Sequence, residues 1–186
     1  MNLDLALFFN RYEDLRTWRA GTPYLEGMPP QMVVPSTMVN GMEGDTYGGE
    51  LTLGWRPMAW LHLQATYSLL KMDLHDPEND DYFAILIEGE SPEHQISLRT
   101  GVDLNFGLTL DFWLRFVDEL PASSQQVPSY WTMDARIGWR IHPNWEVALV
   151  GQNLFEPRHT EFVSEAIGIW PAKIERSVYG KVTWRF

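Results

Sequence analysis

Apolar and polar residues alternate along this chain with a period of two. In the segment 61–69, Leu61, Leu63, Ala65, Tyr67 and Leu69 fall on one side and His62, Gln64, Thr66 and Ser68 on the other. A strand separates those two sets, whereas a helix would mix them. The same division recurs for Ile96, Leu98, Val102 and Leu104 against Gln95, Ser97, Arg99 and Asp103. It recurs for Leu108, Leu110, Phe112, Leu114 and Phe116 against Thr109, Asp111 and Arg115, with Trp113 out of place on the polar side. Trp131, Met133, Ala135, Ile137, Trp139 and Ile141 oppose Thr132, Asp134, Arg136 and Arg140. Val178, Gly180, Val182, Trp184 and Phe186 oppose Ser177, Tyr179, Lys181, Thr183 and Arg185. The alternation predicts about eight strands, over 2–16, 33–56, 60–72, 94–104, 107–118, 130–141, 145–155 and 174–186.

The connections alternate in length. Tight turns are expected at Arg56-Pro57-Met58-Ala59, Asn105-Phe106-Gly107 and His142-Pro143-Asn144, and longer links at 17–32, 73–93, 119–129 and 156–173. Short turns at one end and long loops at the other are the rhythm of a transmembrane β-barrel. The expected fold is therefore all-β, an antiparallel meander of about eight transmembrane strands filling residues 1–186, with no linker or second domain. Charge assigns the faces. Glu50, Arg56, Arg99, Asp103, Asp111, Arg115, Asp134, Arg136, Arg140, Glu146, Lys181 and Arg185 share the polar side. An Arg or Lys facing lipid at mid-membrane would cost roughly 2–4 kcal/mol. Both signs occur on the polar side, so neighbouring strands can pair them. Trp55, Trp60, Trp139, Trp145 and Trp184 sit beside the short turns, where a girdle at the membrane surface belongs. Glycines inside the strands, at Gly48, Gly49, Gly101, Gly138, Gly151 and Gly180, read as points of curvature rather than a phosphate loop.

Composition narrows the class further. The chain carries a net charge of -11, which disfavours nucleic acid as a partner. It has no cysteine, and hence no disulfide or thiolate chemistry. No apolar run approaches the ~18–20 residues of a membrane helix. Met1-Asn2-Leu3-Asp4 has neither the basic nor the apolar region of a secretory leader, so export is expected to use a leader outside these residues.

Several stretches resemble TonB-dependent receptors. Leu5-Ala6-Leu7-Phe8-Phe9-Asn10-Arg11-Tyr12-Glu13-Asp14-Leu15-Arg16 is similar to an aromatic-Asn-x-Tyr-acidic-acidic-Leu strand of that family. Asn40-Gly41-Met42-Glu43-Gly44-Asp45-Thr46-Tyr47-Gly48-Gly49-Glu50-Leu51 resembles its Asn-x-Gly…Tyr-Gly-x-Glu-Leu strand. Gly151-Gln152-Asn153-Leu154-Phe155-Glu156-Pro157-Arg158-His159 resembles its penultimate strand, and Pro128-Ser129-Tyr130 with Asp134-Ala135-Arg136 has the family's form. Phe186, with Trp184, Val182, Gly180 and Val178 at alternate positions before it, resembles the C-terminal signal that hands a barrel to its assembly machinery, for which β-augmentation is the implied mode.

The resemblance implies one arc of a large outer-membrane barrel of the 22-stranded type, without the N-terminal plug and earlier strands. It implies a Gram-negative outer membrane, lipid and lipopolysaccharide as surroundings, and coupling to the TonB system through the plug. The expected function is part of a receptor for a scarce large nutrient such as a ferric siderophore or cobalamin. Arg99, Arg115, Arg136, Arg140, Asp103, Asp111 and Asp134 are the candidate lumen and plug-facing residues, from strand parity. The alternative is a complete eight-stranded barrel with a structural, adhesion or narrow-pore role, whose narrow interior would have to absorb all these charges. A soluble lipid-binding barrel and an outer-membrane enzyme are further readings. No nucleophile–base pairing is visible, and the five His show no metal-ligand spacing. The extracellular loop 73–93 has eight acids and no Lys or Arg. Its Asp76, Glu78, Asp80 and Asp81 are candidate Ca²⁺ ligands, although the EF-hand spacing and its mid-loop glycine are missing; a solvated loop is the ordinary alternative. Tyr82, Phe83, Ile85, Leu86 and Ile87 interrupt the acids and are expected to form a hairpin over the barrel mouth.

Overall fold

Period-two patterning becomes strand along most of the chain. The computed structural model describes residues 1–79, 81–121, 127–162 and 173–186. In chain order the strands are β1 (Asn2–Ala20), β2 (Tyr24–Glu26), β3 (Gln31–Val33), β4 (Ser36–Met58), β5 (Leu61–His75), β6 (His94–Asp103) and β7 (Leu108–Val117). They continue with β8 (Tyr130–His142), β9 (Trp145–Gln152), β10 (Arg158–Thr160), β11 (Lys173–Glu175) and β12 (Ser177–Trp184). One helix, α1 (Tyr82–Glu88), lies in the connection from β5 to β6. Eight strands make one sheet in the order β1-β4-β5-β6-β7-β8-β9-β12, every pair antiparallel. The small pairs β2–β3 and β10–β11 are confined to two of the long connections. Among the described residues β1 and β12 stand at opposite ends of the sheet and do not pair, whereas a closed eight-stranded barrel requires that pairing.

Register aligns the apolar positions of neighbouring strands. Leu5, Leu51, Tyr67, Ile96, Phe116 and Trp131 are successive cross-strand partners in one apolar row. Because side chains alternate, one such row sets the face of the residues above and below it as far as the first bulge. The five tryptophans of the short-turn end are 44–59% exposed. Phe9, Tyr47, Tyr67, Phe116 and Trp131 form a second aromatic belt towards the long connections, which sequence reading did not single out. Tyr47 to Trp55 and Trp131 to Trp139 each span eight residues, about 26 Å along a strand and about 20 Å of height at a tilt of roughly 40°. That suits the hydrocarbon layer of a thin membrane.

Several boundaries differ from expectation. β4 begins at Ser36 rather than 33 because Pro35, lacking an N–H, separates it from β3. β9 stops at Gln152 rather than 155 because Asn153 adopts a left-handed backbone (φ 55°). β1 and β5 run past the expected 16 and 72, to Ala20 and His75, because β4 is long enough to pair with both extensions. The expected hairpin at Tyr82, Phe83, Ile85, Leu86 and Ile87 is instead α1. That run has no turn residue at its middle, and a short apolar run does not distinguish strand from helix by period. The helix satisfies its own backbone, buries Ala84 beside Met42 and Leu74, and ends where Gly89 N–H donates to Ile85 O at 3.1 Å.

Candidate functional site

The polar face of β6 to β12 brings most of the predicted charges together. Arg115 on β7 pairs with Asp134 on β8 at 3.0 Å. Arg136 on β8 pairs with Asp111 on β7 at 2.8 Å and also with Glu146 on β9. Arg185 reaches the same Glu146 at 3.4 Å. Asp103 lies 3.7 Å from His62. Each pair joins neighbouring strands, so the network ties the sheet laterally while keeping charge on one side. Arg99 and Arg140 have no ion pair among the described residues.

Trp113, the residue that breaks the alternation, sits inside this network. The Arg99 and Arg115 guanidinium carbons each lie 4.1 Å from the centroid of its ring. The indole N–H donates to Ser97 Oγ at 2.8 Å. A tryptophan face attracts guanidinium, so the indole takes the place of a carboxylate between two like charges. The alternation flagged this residue as an exception, but not its partners.

The second arrangement crowns the sheet at the long-connection end. β1 carries a bulge: Glu13 and Asp14 intervene between the Tyr12↔Gly44 and Leu15↔Met42 pairs, and Asp14 has φ 59°. One extra residue reverses the facing of all that follows. Leu15, Thr17 and Arg19 therefore share the side of Met42 and Leu74, whereas strict alternation from Leu3 would turn them to the apolar face. There they meet Asp76. Its carboxylate accepts from Thr17 Oγ1 at 2.6 Å, Arg19 at 2.9 Å and Asn79 Nδ2 at 3.1 Å, and it is fully buried. Burial alone would push its pKa up. The hydrogen bonds from Arg19, Thr17, Asn79 and the Glu78 N–H outweigh that and hold it at about 2. Asn79 Nδ2 also donates to Trp18 O at 2.5 Å, and Arg19 pairs with Glu78 at 2.8 Å.

This revises the reading of the acidic loop. Asp76 and Glu78 face Arg19, and Asp81 accepts from Asp76 N–H at 2.6 Å and lies 2.6 Å from His75 Nδ1. Asp80 lies outside the described residues. Among the described residues no three His, Asp or Glu side chains are grouped to hold a metal. The cluster is a latch between loop and strand rather than a freely solvated loop. A buried carboxylate needs a counter-charge, but the sequence shows neither that Asp76 is buried nor that Arg19 is its partner.

Comparison with known proteins places these features. A family model described as TonB dependent receptor-like, beta-barrel, matches residues 1–154. No curated protein sequence matches the chain. Among solved structures, the ferric-catecholate import receptor Fiu of Escherichia coli K12 is 16% identical with a TM-score of 0.69, over 99% of this chain and 25% of that one. The siderophore receptor PiuA of Acinetobacter baumannii is 20% identical with a TM-score of 0.68, over 97% and 26%. The copper transporter OprC is 13% identical with a TM-score of 0.67, over 99% and 29%. The chain thus spans about a quarter of the length of these structures, and at such identities the likeness shows the fold.

Proposed function

The chain belongs to the TonB-dependent receptor family through its β-barrel, and from that premise we propose that it forms the C-terminal arc of an outer-membrane receptor that imports a scarce large nutrient. The family resides in the outer membrane of Gram-negative bacteria. The observation that carries the proposal is the division of the sheet: an apolar face bounded by two aromatic belts, and an opposite face lined with paired charges. In this reading the apolar face meets lipid and lipopolysaccharide, and the polar face lines the lumen around a plug contributed by other residues of the receptor. Arg115 and Arg136 stiffen the wall; Arg99 and Arg140 are the lumen residues assigned to plug contact. The plug carries the coupling to TonB. Phe186, Trp184, Val182, Gly180 and Val178 on and beyond β12 serve the assembly machinery, which extends that strand edge. The cargo is a ferric siderophore or cobalamin, in line with the siderophore receptors among the structural relatives.

Uptake tests this directly. Deleting the gene abolishes growth on one ferric siderophore under iron limitation, or on cobalamin where it is required. The wild-type gene restores growth only in a TonB-competent strain, and Arg99→Gln with Arg140→Gln reduces uptake and plug retention. TonB-independent uptake, or unchanged growth across that panel, overturns the assignment.

A further inference from the structure

The polar face of β5 changes character towards the long connections. Thr66 and Ser68 give way to Leu70, Met72 and Leu74 at the same parity. Helix α1 covers part of this apolar strip, with Ala84, Leu74 and Met42 as the buried cluster and Met72 beside it. The cover is incomplete. Leu70, Met72 and Ile85 line an open depression of about 420 Å³, a size that suits a small organic ligand.

Its rim is acidic. Glu88 and Glu93 line it, as do Asp118 and Glu119, where the chain leaves β7. Two of these acids serve the fold: Glu88 accepts from Leu74 N–H at 2.5 Å, and Glu93 pairs with Lys71. Asp118 and Glu119 form no ion pair among the described residues. The flanking segments 73–93 and 116–135 contain no Lys or Arg; Lys71 on β5 is a nearby base, held by Glu93 and within electrostatic reach of Asp118, so acids remain in excess at the rim. A depression with an excess of one sign of charge concentrates ions of the other sign and repels like ones.

We infer that this depression binds an organic cation, an ammonium or guanidinium carried on an apolar body. The apolar body lies on Leu70, Met72 and Ile85, and the charged end meets Asp118 and Glu119. This rests on the receptor reading and adds to it one subsite that selects a cationic group over an anionic one.

The test uses the protein extracted from outer membranes in a zwitterionic detergent. The probes are naphthylmethylammonium and naphthylacetate, which share an apolar body and differ in charge, and the readout is equilibrium dialysis. The cation is expected to bind about tenfold tighter than the anion, less so at high salt. Asp118→Asn with Glu119→Gln removes that preference, and Asp118→Lys with Glu119→Lys reverses it. These variants leave the Glu88 and Glu93 bonds in place, so unfolding midpoints stay at the wild-type value. Equal binding of the two probes, no binding of either, or a preference that survives both double variants overturns the inference. Uptake separates the two claims. TonB-dependent uptake by a protein that prefers the anion sinks this inference alone; cation preference without TonB-dependent uptake sinks the receptor reading.

Discussion

Asp76 has no solvent contact, and its carboxylate stays charged because four groups donate to it. Its folded pKa lies below the ordinary value, so its contribution is fully present above 3.8 and is lost as pH falls from there through about 2. Asp76→Asn removes one charge of the pair, but Arg19 keeps Glu78, so the expected cost is roughly 1–3 kcal/mol and local. Hydrogen exchange should speed up across residues 76–93 in the variant, with the amides of β6 to β9 unchanged. In the wild type the same acceleration should appear only on acidification through that window. Exchange at wild-type rates in the variant would mean that the loop is held elsewhere. Parity identified the charges of the polar face from the sequence. It did not identify Thr17 and Arg19 as partners of Asp76, because a single bulge residue, Asp14, reverses their side.

At the level of the strand, the eight residues between aromatic belts define where charge is intolerable. Ala135 lies midway between Trp131 and Trp139 on the apolar face of β8. Ala135→Arg is expected to destabilise the protein by roughly 2–4 kcal/mol in phospholipid vesicles. Gln95→Arg, on the polar face of β6, should stay within about 0.5 kcal/mol. Denaturant unfolding of the assembled receptor from vesicles checks both, and equal effects at the two sites would contradict the face assignment. Most strands were legible because a two-residue period accumulates over many positions. The loop helix was not, because seven residues are too few for a period to declare itself.

For the molecule as a whole, the open sheet decides behaviour. β1 and β12 each present an unpaired edge along one side among the described residues. Unpaired backbone in hydrocarbon is costly, so this arc needs further strands to close. Refolded alone in detergent, the chain is expected to aggregate and to give no discrete heat-modifiable band; the remaining receptor segments should rescue it. A heat-modifiable monomer would return the small closed barrel. The sequence by itself determined the all-β class, the faces of the strands, the end with short turns and the resemblance to the receptor family, because each is written in local alternation and spacing. Only the tertiary structure decided that Trp113 lies between two arginines, that Arg19 neutralises Asp76, and that an apolar depression opens beside acids from separate segments. Those arrangements depend on which distant residues register and bulges bring together, and that information resides in no single stretch of the chain.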